Sequence, residues 1–481
     1  MCGVVGAINV PDAYDVVTSL MNALQYRGEN GAGLALAKYS GDSFYERTEF
    51  TVPDLVIKIG SSGFQNDGSF FSGVGHVRYG TSGDPRSFDN AHPLKFEMPW
   101  GWLYVVHNGD SPFVEEDRQV LINRGSVLFT NSDSEMILHY MNLAGTDDLL
   151  EALKKGLKSY RGTYALCMLT NYKGEIALIA ARDPSGNRPL SLGRLGGGYV
   201  VASENSAFEV VNGFYERDVL PGEILVITAG GLSSHMLYDE GGTQSLNQCV
   251  YEGVYFSIPS SVIFGIPVSE FQKELGRRLA TNFGHLVKPD DIITNIPDSS
   301  NSYAEGFCQA LNRKLTTILI RRHSVGRSFT KESQVVIDDT LRIKFSFLRF
   351  AIDGILKDNP DARFWIIEDS IVRGNTIRKI IRVLRGFGVK WISVLSGAPP
   401  ILGPCGKGID MRGKGRRLIA ASHIVEGLSV DCKSIAAETE ANFVGYQLLS
   451  DLYDAVRCFD KDPKDFCFGC FENREPIWGK W

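Results

Sequence analysis

The chain has 481 residues, of which 43% are hydrophobic and 22% charged, with a net charge of −6. That length predicts two or three domains with a sizeable core, and the composition excludes a disordered chain. The acidic balance gives no electrostatic case for nucleic acid or an anionic membrane surface, and no apolar run reaches the ~18 residues that span a bilayer.

The opening stretch, "MCGVVGAINVPDAYD", lacks the basic start of a secretory signal. Nine cysteines, an odd number, fit reduced thiols, a metal centre or catalysis in the cytoplasm better than a disulfide framework. If Met1 is trimmed, Cys2 carries a thiol and a free amine on one residue. An α-amino group titrates near ~7.7–8.0 and can take the proton of its own nucleophile. On these letters alone, a small buried hydrophobe opening a strand is the plainer reading.

Up to residue 227 the pattern is of short β-segments broken by Gly, Asn and Asp, as in "WGWLYVVHNGD", "RGTYALCMLT" and "EIALIAARDPSGNRPL". Two stretches read as helices. One is "VVTSLMNALQYRG"; the other is "SDSEMILHYMN", where Ser132 can cap and Glu135 follows at capping-box spacing. Residues 228–248 are rich in Gly and Ser and read as a linker, with room for a short strand. From Cys249 to the end, apolar strands alternate with helices. "DDIITNIPDSS" and "LTTILIRRHS" read as strands around the helix "NSYAEGFCQALNRK". "RFWIIEDS" is a strand ending in acids. Ile377, Ile380, Ile381 and Leu384 then share one helical face, Gly386 and Gly388 end that helix, and "KWISVLSGAPP" is the next strand. This rhythm predicts a parallel sheet.

The stretch "IIEDSIVRGNT" joins a buried strand to a helix, the crevice where open α/β sheets bind ligands. Gly374 allows a tight turn, and the amides that follow can cradle a phosphate at the positive helix end. Glu368 and Asp369 suit a sugar diol or a Mg²⁺ that neutralises pyrophosphate. No Walker lysine accompanies the loop, which points to a phosphosugar.

Taken together the motifs resemble the glutamine amidophosphoribosyltransferase family over nearly the whole chain. "MCGVVG", "YRGENGAG", "GHVRYGTSG", "HNGD", "SDSE", "RGTYAL", "ARDPSGNRPL" and "ASENSAF" carry the first half; "YEGVYFSIPSSVIFGI", "NIPDSS", "VGRSF" and "IEDSIVRGNT" carry the second. The resemblance implies an α+β N-terminal-nucleophile domain, a four-layer αββα sandwich acting as a class II glutamine amidotransferase. An α/β type I phosphoribosyltransferase domain with a parallel sheet would follow. It implies glutamine-dependent synthesis of 5-phosphoribosylamine from phosphoribosyl pyrophosphate, the first step of purine synthesis, by a homotetramer.

Residue by residue, the resemblance makes Cys2 the nucleophile and Asn108 with Gly109 its oxyanion hole. Arg78 would meet the glutamine carboxylate, Asp133 its ammonium, and Arg27 would organise the pocket. In the second domain Glu368 and Asp369, with Ser299, would stand at the ribose hydroxyls and Mg²⁺. Ser370, Ile371, Val372, Arg373, Gly374, Asn375 and Thr376 would hold the 5-phosphate, and Arg327 would lie in a loop closing over the substrate. Cys249, Cys405, Cys467 and Cys470 match the ligands of a [4Fe–4S] cluster in one branch of the family. A Cys₄ zinc site is the competing reading. Cys167, Cys308, Cys432 and Cys458 read as packed thiols.

Five residues depart from the family pattern: Asp110, Glu368, Asn375, His323 and Ser324. They leave open a divergent paralogue that delivers ammonia to another acceptor, or a catalytically weak nucleotide-sensing partner.

Overall fold

Val4 and Val5 show how the first half is layered. Successive strand residues face opposite ways. Val5 and Ala7 pack with Val17, Leu20 and Met21 of the helix Ala13–Ala23. Val4 and Ile8 pack instead with Tyr104, Val106 and Cys167 from a second sheet. The computed structural model describes residues 1–80, 87–238, 245–322, 344–408 and 417–474.

The first sheet has seven strands, in spatial order Phe214–Asp218, Ser191–Leu195, Gly198–Ala202, Gly3–Ile8, Phe70–Val77, Ala32–Lys38 and Ser43–Thr48. The second has six: Gly231–Met236, Glu223–Thr228, Glu175–Arg182, Thr163–Tyr172, Gly101–Asp110 and Leu94–Met98. Both are antiparallel. Helices Ala13–Ala23 and Val52–Ser61 cover the first sheet; Ser134–Asn142 and Leu149–Ser159 cover the second. The result is the αββα sandwich expected. Each fully buried Val, Leu or Ile in its three apolar layers contributes roughly 1.5–3 kcal/mol.

In the second half, four parallel strands run in the order Ile292–Asn295, Arg363–Glu368, Trp391–Ser396 and Phe443–Tyr446. Trp365, Ile367 and Leu395 pack under the helices Val268–Phe283, Asn301–Ala310 and Leu449–Arg457. Phe364, Ile366 and Val394 pack on the other face under Arg349–Asp358, Asn375–Gly386 and Cys432–Thr439. A sheet buried on both faces needs near-continuous apolar strands, which "RFWIIE" supplies.

Two local expectations are corrected, and a third is located. Within residues 228–248 the short strand is Gly231–Met236, which pairs with Glu223–Thr228 at the edge of the six-stranded sheet. The capping box at Ser132 does not form: the helix starts at Ser134, and Glu135 instead accepts the Phe129 and Thr130 amides at 2.6 and 2.8 Å. Leu319–Arg321 pairs antiparallel with Phe345–Phe347 in a separate ribbon, not in the parallel sheet.

Helices Val268–Phe283 and Asn301–Ala310 meet glycine to backbone. A Cβ on Gly276 would strike the Tyr303 carbonyl, and one on Gly306 the Lys273 carbonyl. This contact seats the helix that begins just after Ser299. Gly306→Ala is expected to destabilise the protein by about 1–3 kcal/mol, seen as a lower urea midpoint. Gly354→Ala, in a helix where an added Cβ meets nothing within 4 Å, is expected to be neutral or to stabilise by up to about 1 kcal/mol.

Candidate active sites

Cys2 immediately precedes Gly3–Ile8, the central strand of the first sheet. Its sulfur accepts the Tyr79 amide at 3.4 Å, and Arg27 Nε donates to its carbonyl at 2.9 Å. Cys2, Arg78, Tyr79, Gly109 and Asp133 line one concavity, together with His76, His92, His107, Ser132 and Ser134. Asn108 and Gly109 lie inside a strand, so the pair is not a hairpin turn. The Asn108 side chain is 1% exposed, and neither of its amide atoms has a hydrogen-bond partner among the described residues. Position 109 admits only glycine, because a Cβ there would strike the Thr163 carbonyl and the His107 ring.

The wall beside Asn108 is fixed by hydrogen bonds. The His107 ring contacts Ser134 Oγ at 2.8 Å and the Thr163 carbonyl at 3.2 Å, while His76 Nε2 donates to the His107 carbonyl at 3.0 Å. Burial pushes the His76 pKa down to about 3. Tyr160 donates to Asp133 at 2.9 Å, and burial together with the Asp133 charge holds that phenol well above its usual range. The motif residues Cys2, Arg78, Gly109 and Asp133 are therefore brought together around one space.

Arg27 does not face that space freely. It is 2% exposed and is ion-paired with Glu204 and, at 3.0 Å, with both carboxylate oxygens of Glu252. Burial lowers its pKa, but Glu252 and Glu204 outweigh that and hold it above the usual arginine value. Glu252 comes from the second domain and also faces Arg188 at 3.6 Å. All four side chains have no solvent exposure. Glu204 accepts the Ile258 amide at 3.0 Å and the Ser261 hydroxyl at 2.6 Å, so it too reaches across. Asp110 lies near this set: a Cβ on Gly408 would sit 3.0 Å from both Asp110 Cβ and Arg188 Nη2.

In the second domain the strand Arg363–Glu368 ends in two buried carboxylates. Glu368 Oε2 has no partner among the described residues, and burial, with the charge of Asp369, pushes its pKa well up. Asp369 is also raised by burial, against hydrogen bonds from Ser299 and Ser370 that lower it. Gly374 takes a left-handed conformation (φ 73°) and starts the helix Asn375–Gly386, whose first turn has no side-chain cap. Arg373, Asn375 and Thr376 are exposed, whereas Ile371 belongs to the core and offers the loop only its backbone. The Val372 carbonyl is held by the Ile419 amide at 3.0 Å. Tyr251 OH meets Ser370 Oγ at 2.8 Å. Arg327, His323 and Ser324 lie outside the described residues.

The four cysteines also gather. Cys249 and Cys467 are register partners in a parallel pair of two-residue strands. Burial pushes Cys249 up to about 12, and it feels the charges of Arg188, Cys405 and Cys467. Burial likewise raises Cys470, which feels Cys405, Cys467 and Cys249. Among the described residues, no three His, Cys, Asp or Glu side chains close on a single ion. Cys167 packs between the two sheets of the first domain, and burial raises its pKa.

Sequence reasoning quoted "ASENSAF" and "YEGVYFSI" without assigning Glu204 or Glu252. The available signal was an acid inside an apolar motif, since a buried carboxylate requires a partner. His92 and Tyr160 carried no such signal.

Residues 90–210 match a glutamine amidotransferase domain family. The chain is 34% identical over 479 residues to the amidophosphoribosyltransferase of Bacillus subtilis, covering 99% of this chain and 94% of that one. It is 32% identical over 487 residues to the amidophosphoribosyltransferase of Archaeoglobus fulgidus, covering 99% and 98%. It superposes with a TM-score of 0.85 on the B. subtilis glutamine phosphoribosylpyrophosphate amidotransferase complexed with ADP and GMP, at 32% identity, covering 100% and 98%.

Removing Arg27 would leave two buried carboxylates facing Arg188 alone. Arg27→Leu is expected to destabilise the protein by about 3–5 kcal/mol in urea unfolding. Arg27→Lys should recover little, since a compact ammonium cannot serve three acceptors arranged around a planar fork.

Proposed function

The chain belongs to the amidophosphoribosyltransferase family, and from that premise we propose how its two sites divide the reaction. The enzyme uses glutamine and phosphoribosyl pyrophosphate to make 5-phosphoribosylamine, releasing pyrophosphate and glutamate, in purine synthesis. One observation supports the division most strongly: the Asn108 amide is buried and unpartnered beside the concavity that holds Cys2. An amide left so costs about 1–3 kcal/mol, which a developing oxyanion would offset.

With Met1 removed, the free α-amine of Cys2 accepts the thiol proton. The sulfur attacks the carboxamide carbon, and its oxygen becomes an oxyanion held by Asn108 Nδ2 and the Gly109 amide. The C–N bond breaks, the nitrogen takes the proton and leaves as ammonia, and water hydrolyses the thioester to glutamate. Arg78 binds the substrate carboxylate and Asp133 its ammonium. Arg27 holds the backbone of Cys2 in place.

In the other crevice, Glu368 and Asp369 hold the ribose hydroxyls. The amides and hydroxyls from Ser370 to Thr376 cradle the 5-phosphate at the uncapped helix start. Mg²⁺ fits the unpartnered Glu368 oxygen, with Asp369 and Ser299 beside it, and would supply charge neutralisation to the leaving pyrophosphate. Cys249, Cys405, Cys467 and Cys470 would hold a [4Fe–4S] cluster. Four thiolates are the donor set that such a cluster takes, and a Cys₄ zinc site is the competing reading. The buried cations Arg188 and Lys407 lie where they would offset its charge. That cluster would tie the C-terminal region to the start of the second domain.

No helix among the described residues is long and apolar enough to cross a membrane. The proposal extends to a cytoplasmic homotetramer, whose partner copies would cover apolar side chains such as Phe350, 93% exposed.

Cys2→Ala is expected to abolish glutamine-dependent pyrophosphate release while leaving the ammonia-dependent reaction within about two-fold. Glutamate release without pyrophosphate from the unaltered enzyme would sink the reading. Intact mass should show Cys2 as the first residue of active protein. Iron and acid-labile sulfide near four per chain are expected, and stoichiometric zinc would exclude the cluster.

A further inference from the structure

His92 lines the same concavity as Cys2 and Arg78. It is 5% exposed, and both of its ring nitrogens lack hydrogen-bond partners among the described residues. The His107 ring has two hydrogen bonds, and His76 uses Nε2 on the His107 carbonyl while its Nδ1 has no partner among the described residues; only His92 among the three has neither ring nitrogen engaged. A buried imidazole with two idle nitrogens is unfavourable unless something supplies their partner.

The position of the ring is not left to chance. Arg47 Nη1 donates to the Ala91 carbonyl at 2.7 Å, and the Asn131 amide donates to Asn90 Oδ1 at 3.0 Å. The His92 carbonyl lies against Gly33, where a Cβ would collide with it. The ring itself packs on His76 at 4.5 Å between centroids. Backbone and ring are thus both pinned, which is how a preorganised contact is held.

The chemistry of the surroundings selects the partner. Burial and the nearby His76, His107, Arg78 and Arg47 all disfavour a positive charge on this ring. It therefore stays neutral, with one N–H to donate and one nitrogen to accept. None of those neighbours is an anion. A carboxylate arriving beside Arg78 would bring negative charge to this wall and an acceptor for the idle N–H.

We propose that His92 is a substrate-binding residue of the glutaminase, donating a hydrogen bond to the α-carboxylate of glutamine alongside Arg78. This rests on the reading of the concavity as the glutamine site. It assigns His92 part of the discrimination between glutamine and analogues that lack the carboxylate charge.

The test uses the full-length enzyme and measures pyrophosphate release with glutamine, with glutamine α-amide and with ammonia. For His92→Leu, KM for glutamine should rise at least about ten-fold with kcat within about two-fold, the signature of lost uniform binding. Its preference for glutamine over the α-amide should narrow by a similar factor. The ammonia-dependent rate and the thermal midpoint should stay near those of the unaltered enzyme. His92→Gln, which keeps a donor and an acceptor, should restore KM to within about three-fold. An unchanged KM in His92→Leu overturns the proposal. So does a loss in which the ammonia reaction and stability fall in parallel, which marks a packing role. If the unaltered enzyme turns over ammonia but not glutamine, the glutamine-site reading fails first and the proposal falls with it.

Discussion

A guanidinium with no access to water connects Cys2 in one domain to a carboxylate of the other. Arg27 donates to the Cys2 carbonyl and pairs with Glu252 across the domain boundary. Two cations and two carboxylates are buried together there, so the set is neutral overall. Neutral is not the same as inexpensive. Desolvating each ion costs several kcal/mol, and only good geometry with further hydrogen bonds offsets that. Ser257, Ser261 and the Ile258 amide supply those bonds from the second domain. What such a set provides best is position, because a charge with one satisfied arrangement has no alternative place to go.

The consequence is visible in the short run from Cys249 to Ser261. Cys249 meets the cysteine group, Tyr251 meets the loop after the acidic strand, and Glu252 meets Arg27. Three chemically different places are thus served by one piece of backbone. Part of it, Glu252–Phe256, is a π-helical turn. Such turns recur at functional sites because widening the helix changes which side chains point together. Here it lets consecutive residues address opposite domains.

The two crevices use the same physical device in opposite senses. Among the described residues, a donor is buried without a partner at Asn108 in the first, and an acceptor is buried without one at Glu368 in the second. Each is unfavourable alone, and under the proposed function each would become favourable when its complement arrives, an oxyanion or a cation. Rigid β-strands hold both in place, one in an antiparallel sandwich and one at the C-terminal end of a parallel sheet. The glycines beside them, Gly109 and Gly374, stand where a Cβ would strike packed neighbours, the Thr163 carbonyl and His107 ring at one and Ile419 at the other.

The alternation of strands and helices in the second half was legible from periodicity, which follows from which faces are buried; the layered sandwich of the first half was implied only by the motif resemblance. The opposite facing of Val4 and Val5 is a fact of the packed sheets, whereas the spacing of Ile377, Ile380, Ile381 and Leu384 is legible in the chain itself. So is the phosphate-type loop, since acids, glycine and a helix start are local in the chain. Motif resemblance located Cys2, Asn108 and Asp133. The capping box at Ser132 was misread because Glu135 had a nonlocal use, holding the 129–130 backbone. Only the tertiary structure decided that Arg27 is held by Glu204 and Glu252, that Tyr160 backs Asp133, and that neither ring nitrogen of His92 has a partner among the described residues. Those facts depend on partners as many as 225 residues apart, and on burial, which multiplies electrostatic interactions that a linear pattern cannot register.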